Sequence, residues 1–222
     1  KILNLLLNDE KSHLISGIPT KEFNKENEKE FFNSILMFNK NGEIVDTYNK
    51  LKLVPFGEYI PYRKYIPFVK SLANDSEFSS GKTKNIFSKP GIGKIQPMIC
   101  YEAIFPGFSR HKIRPDLLVN ITNDYWFGNT IGPKQHLLLA RMRAIETGVP
   151  LIRVSNSGIS AAYDPFGREI ARLKWGKVDF IDVLIPKKSS ETIYNKYGEK
   201  IYFFMSMALF FLVVFKTKVD QE

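Results

Sequence analysis

The chain has 222 residues, of which 44% are hydrophobic, 14% aromatic and 25% charged, with a formal net charge of +9. That content supplies a core for one large domain and excludes a disordered chain. Residues 1–50 hold seven Lys against eight Asp and Glu, so the whole basic excess lies in residues 51–222, which suits anionic partners such as phospholipid headgroups.

Residues 1–8 read as the end of a helix already under way, with no Met and no signal sequence before them, and so as part of a longer protein. Residues 13–18 form a short apolar strand stopped by Pro19, and the polar residues 21–29 an exposed loop. Residues 31–38 and 44–48 are strands joined by a tight turn at Asn41-Gly42. Strands follow at 93–100 and 116–122. Leu138, Met142, Ile145 and Val149 recur at helical spacing, which predicts a helix over 134–147 with Gly148 as its stop. Strands are predicted at 150–154, 158–163, 169–173 and 178–185, with a turn at 164–167. Alternating helices and strands indicate an α/β fold. Residues 201–215 carry no charge and are flanked by Lys200, Lys216 and Lys218. They read as a transmembrane helix anchored by its lysines, with a buried core helix as the alternative, because fifteen residues span only about 22 Å.

Nucleic acid is not expected as a partner: the lysines are interleaved with acids and apolar residues, and no nucleic-acid-binding signature occurs. The single cysteine excludes an intrachain disulfide and a cysteine-based zinc site, and His13, His111 and His136 lack metal-ligand spacing. No metal or cofactor is therefore expected. Cys100 closes a strand at Ile99-Cys100-Tyr101-Glu102, where a nucleophile would be exposed and the next backbone N–H groups would face it. The bland alternative is a buried structural cysteine. Lys50 follows the hairpin. A lysine beside a thiol favours the thiolate and then stabilises an oxyanion. Glu58 sits on a loop stiffened by Pro55, Gly57 and Pro61, and is either a site carboxylate or a surface ion-pair partner; Glu102 poses the same choice. Trp126 and Phe127 follow a buried strand, where ligands of α/β folds gather, or else cap a core. Phe56, Tyr59, Tyr62, Arg63, Lys64, Tyr65 and Phe68 mix aromatic and basic residues in one loop, a composition suited to a lipid interface.

Three segments in order, Lys50 with Leu53-Val54-Pro55-Phe56-Gly57-Glu58, Ile99-Cys100-Tyr101-Glu102, and Asn123-Asp124-Tyr125-Trp126-Phe127-Gly128, resemble the nitrilase (carbon–nitrogen hydrolase) superfamily. Its membrane branch, the bacterial apolipoprotein N-acyltransferases, is the nearest likeness, supported by residues 131–136, 140–146 and 155–160. The resemblance covers essentially the whole chain. It implies an α-β-β-α sandwich of the nitrilase type over residues 1–190, followed by a transmembrane helix and short tail over 191–222. It further implies a Glu–Lys–Cys triad with Cys100 as nucleophile and Lys50 as the triad lysine. Glu58 matches a further essential glutamate, Tyr101 and Glu102 the residues beside the nucleophile, and Trp126 an aromatic of the site loop.

The activity so implied moves a fatty acyl chain from a phospholipid donor, through a cysteine thioester, to the N-terminal amine of an apolipoprotein acceptor at a membrane bilayer. The location implied is the bacterial inner membrane, multi-pass in the full protein, with the catalytic domain on the periplasmic face. No residue of 1–49 matches the family's general-base glutamate, which is expected upstream of Lys1. Two other readings stand beside this one: a nitrilase-type amidase with water as acceptor, and a non-catalytic membrane-tethered module.

Overall fold

The computed structural model describes residues 12–62, 77–89 and 91–219. β1 (Leu14–Phe23), β2 (Lys29–Phe38) and β3 (Ile44–Asn49) form an antiparallel sheet in chain order. A second sheet orders β4 (Phe87–Lys89), β5 (Gly93–Ile99), β6 (Leu117–Asn123), β7 (Leu151–Asn156), β8 (Ser160–Tyr163) and β9 (Glu169–Leu173). Its centre, β5–β6–β7, is parallel, and its flanks are antiparallel. Parallel neighbours need a crossover, and α1 (Gly132–Thr147) supplies the one between β6 and β7.

Two cores flank the second sheet. On one face Phe87, Ile95, Ile99 and Val119 meet Ile35, Met37 and Tyr48 of the first sheet. On the other, Met98, Leu118 and Leu151 meet Leu137, Ala140 and Ala144 of α1. The two-residue period of a strand produces this division, since Ile95 and Ile99 point one way and Met98 the other. A strand buried on both faces reads as a nearly continuous apolar run, as residues 117–121 do. Among the described residues the layers are β–β–α, three of the four in the expected sandwich.

Several expectations change. Pro19 does not stop β1, which runs on to Phe23 with Pro19 opposite Asn33. β1 is the edge of its sheet, where a residue without an N–H is tolerated. Residues 21–23 and 29 therefore belong to strands rather than to a loop, and Asn24 closes the turn by accepting the N–H groups of Glu26 and Glu28 at 2.9 Å. α1 ends as expected, on left-handed Gly148 (φ +63°). The stripe that marked it is its outer face, however: Leu138, Met142 and Ile145 are exposed, while Ala140 and Ala144 turn inward and let the helix approach the sheet closely. Residues 178–185 form no strand. Val178 and Leu184 are fully exposed, and the segment has no ladder partner among the described residues.

The transmembrane reading of residues 201–215 is also corrected. No helix among the described residues is long and apolar enough to cross a membrane. α2 (Ile193–Tyr197) and α3 (Lys200–Val219) do form. The apolar run within α3 stops about 8 Å short of a bilayer core about 30 Å thick, and Lys200, Lys216 and Lys218 interrupt what remains of the helix. α3 is no core helix either, for Phe203, Phe204, Leu209, Phe210 and Leu212 are all more than half exposed. The opening helix expected at residues 1–8, and Arg63, Lys64, Tyr65 and Phe68 of the aromatic loop, lie outside the described residues.

Candidate active site

β5 ends at Ile99, and the chain turns at once into a single 3-10 turn, Cys100–Ile104. Cys100 takes φ +47°, in the left-handed region. For a residue with a side chain this costs about 1–3 kcal/mol and persists only where neighbours over-determine it. Two side chains do so. Glu102 accepts the N–H of Ile99 at 2.7 Å, and His136 Nε2 donates to the Cys100 carbonyl at 3.1 Å. Cys100 itself is half-buried and free.

Glu102 is fully buried and carries four hydrogen bonds. Its Oε2 takes Ile99 N–H, and its Oε1 takes Tyr48 Oη–H at 2.7 Å, Leu51 N–H at 2.7 Å and Lys52 N–H at 3.1 Å. One carboxylate thus ties the residue before Cys100 to the two residues after Lys50. Burial pushes the Glu102 carboxyl above the usual carboxylate range, against the pull of these hydrogen bonds. Burial first, and then the charge of Glu102, push the Tyr48 phenol up, so it stays a donor. Of the two roles the sequence leaves open for Glu102, ion pair or site carboxylate, the structure shows neither directly: it braces the site from within.

Lys50 is 1% exposed, and its Nζ lies 2.7 Å from Glu58 Oε2. The loop after it folds back to bring that carboxylate round: Gly57 and Glu58 N–H both bond Val54 O, and Phe56, at φ +62°, forms the tip. Glu58 also accepts Val54 N–H at 2.8 Å and Asn33 Nδ2 at 2.7 Å. A buried lysine needs such a partner to keep its charge. The backbone just after Lys50 is tied to the residue before Cys100 through Glu102, which accepts the N–H groups of Leu51 and Ile99.

Next to Tyr101 opens a cleft of about 500 Å³, lined by Leu53, Pro55, Tyr59, Phe78 and Phe105 among others, with Lys52 the one charged side chain among its described lining residues. Tyr101 and Phe105 stack edge to face at 4.8 Å. Phe56, Tyr62, Tyr125 and Trp126 stand out into solvent, so Trp126 caps no core. Sequence reasoning did not find Phe78 or Phe105, whose segments carry no motif.

It also missed a buried polar cluster beneath the nucleophile. Arg153 Nη1 donates to Asn120 Oδ1 and Nη2 to Asp124 Oδ2, both at 2.6 Å. His136 Nδ1 lies 2.9 Å from Asp124 Oδ1 and 3.2 Å from Arg153 Nη2. Thr122 Oγ1 donates to Asp124 Oδ1 at 3.2 Å. All five side chains are buried. Burial raises the Asp124 carboxyl, but the His136 hydrogen bond and the Arg153 guanidinium outweigh it and hold the group at about 2. The available signal was Asn120 and Thr122, two polar residues at alternate positions in an otherwise apolar buried strand.

The sequence model of the carbon-nitrogen hydrolase family matches residues 1–194. The chain is 40% identical over 219 residues to an apolipoprotein N-acyltransferase of Rickettsia bellii (strain RML369-C), covering 98% of this chain and 43% of that protein. It is 37% identical over 216 residues to the enzyme of the same name from Rickettsia prowazekii (strain Madrid E), covering 96% and 43%. The chain therefore spans less than half the length of these curated relatives. Among solved structures, a branch 10 member of the nitrilase superfamily from Saccharomyces cerevisiae superposes with a TM-score of 0.58 at 23% identity, over 79% of this chain and 60% of that one. This last likeness concerns the fold.

Proposed function

The chain belongs to the carbon-nitrogen hydrolase family, and from that premise we propose that it carries the nucleophile of an acyltransferase of lipoprotein maturation. The enzyme moves a fatty acyl chain from a phospholipid to the N-terminal amine of the diacylglyceryl-cysteine of an apolipoprotein. The names of the curated relatives support the reaction class. The observation that carries the reading is that buried Glu102 ties the residue before Cys100 to the two residues after Lys50, next to a cleft that Tyr101 lines.

The Cys100 thiolate attacks the ester carbonyl of the phospholipid. Lys50 and the Tyr101 N–H stabilise the oxyanion. The tetrahedral intermediate expels the lysophospholipid alkoxide, which takes up the proton removed from the thiol, and a thioester remains on Cys100. The neutral amine of the acceptor then adds to the thioester carbonyl, its surplus proton passes through the base to the departing Cys100 sulfur, and an amide and the free thiol result. The second step must exclude water, since the thioester otherwise hydrolyses. Glu58 is engaged by three donors and Glu102 by four, so neither is free to serve as the proton acceptor. That task falls to the family's base glutamate, outside the segments described. The exposed aromatics Phe56, Tyr62 and Trp126 and the apolar face of α3 give the domain its contact with lipid, at the periplasmic face of a bacterial inner membrane.

The test is the mass of Cys100 after incubation with phospholipid vesicles, in residues 1–222 and in the full polypeptide that carries them. A hydroxylamine-labile acyl adduct that persists until a diacylglyceryl-cysteine peptide is added supports the transferase. An adduct that decays equally fast without the peptide points to an amidase-like hydrolase. No adduct in either form overturns the reading in favour of a non-catalytic module.

A further inference from the structure

Below the nucleophile, an unbroken hydrogen-bonded path leaves the backbone and returns to it two residues later. Asn120 Nδ2 donates to the Met98 carbonyl at 3.2 Å. Arg153 bridges Asn120 to Asp124, Asp124 holds His136, and His136 Nε2 donates to the Cys100 carbonyl. The path draws on β6, the residue after it, α1 and β7, and it joins the Met98 carbonyl to the Cys100 carbonyl. Nothing in the reaction above uses these side chains, and none of them lines the cleft.

The geometry points to His136 as a positioning residue that aims the oxyanion-binding N–H of the site. A peptide group is planar and trans, so its C=O and the following N–H point in opposite directions. Pinning the Cys100 oxygen down onto buried His136 therefore turns the Tyr101 N–H away from the buried cluster, towards the side where Tyr101 lines the cleft. The left-handed φ of Cys100 makes the pin necessary, because the turn would otherwise relax towards an ordinary conformation and rotate that N–H away. Asp124, itself held by Arg153, fixes the ring from its Nδ1 side in turn, as a second partner fixes a working histidine ring. This inference rests on the thioester reading and adds to it a residue that touches neither substrate nor thiol.

The test separates two reactions of the only cysteine in the chain. Acylation of Cys100 by a p-nitrophenyl alkanoate passes through an oxyanion, and the activated leaving group departs without an acid. Alkylation by iodoacetamide is a direct displacement with no oxyanion. His136→Phe should slow acylation by up to about 100-fold, the loss typical of one oxyanion donor, while alkylation changes by no more than about threefold. His136→Gln, whose amide N–H can occupy the place of Nε2, should recover most of the acylation rate. Circular dichroism and a thermal midpoint accompany each variant. An equal fall in both reactions, or no recovery with Gln in a folded variant, would overturn the assignment. An adduct on the unaltered chain that forms equally fast in His136→Phe would overturn it alone. No p-nitrophenyl ester adduct on Cys100 of the full polypeptide that carries the unaltered chain would sink the thioester reading and this inference with it.

Discussion

The nucleophile turn and the C-terminal stretch, residues 178–219, are both rich in apolar residues, yet they end in opposite states. Around Cys100, apolar strands are covered on two faces, and Glu102, Asp124 and Lys50 among them are held by partners. Glu102 takes four donors, and the Lys50–Glu58 pair sits almost out of solvent. From residue 178 onward, Val178, Phe180 and Leu184, and then the side chains of α3, face outward. Apolar content by itself does not bury a segment. A strand needs a ladder partner and a helix needs a complementary face; among the described residues, 178–185 lack the first, and the exposed side chains of α3 lack the second.

Substitutions can break that contrast. The largest effect belongs to Glu102→Ala, which strands four donors around a buried site. Stability should fall by about 3–5 kcal/mol, read as a lower urea midpoint. A loss below about 1 kcal/mol would mean that water reaches those donors.

Acid titration probes the same interior. The Asp124 carboxyl is held at about 2 in the folded chain, below its unfolded value. Its contribution is present above pH 4 and should disappear as pH falls from about 4 towards 2, a loss of about 2 kcal/mol. Asp124→Asn should flatten that part of the stability–pH curve relative to the unaltered chain. Parallel curves would show that the cluster does not hold the carboxylate ionised.

A smaller effect, of opposite sign, is expected at the nucleophile. Cys100→Gly removes the side chain that strains a left-handed φ and should raise stability by up to about 1 kcal/mol while abolishing acylation. A clear loss of stability would place the restraint in side-chain packing rather than in backbone strain. The least effect belongs to the other region. Leu184→Ser and Phe210→Ser should each change stability by less than about 0.5 kcal/mol, because both side chains are already exposed. Destabilisation beyond 1 kcal/mol in the isolated chain would show that these segments are covered in solution.

What was legible in the residues was local. Asn41-Gly42 made the hairpin, the nearly continuous apolar run 117–121 made a strand buried on both faces, and the spacing through Ile145 with Gly148 behind it made α1 and its stop. These follow from backbone preference and side-chain period over a few residues. The motif residues Lys50, Glu58 and Cys100 were legible too, because their types and order carry a chemistry.

Tertiary structure decided everything that required a distant partner. It allowed Pro19 inside a strand because β1 lies at an edge, and it left residues 178–185 unpaired although they are rich in β-branched and apolar residues. It turned Ala140 and Ala144 inward in place of Leu138 and Met142, since a close approach to the sheet admits small side chains. It joined Asn120, Asp124, His136 and Arg153 beneath Cys100, four residues spread over 34 positions whose meeting no local pattern announces. The physical reason is the same in each case. Backbone geometry and period act between near neighbours in the chain, whereas burial and polar pairing depend on which surfaces meet once the chain has folded.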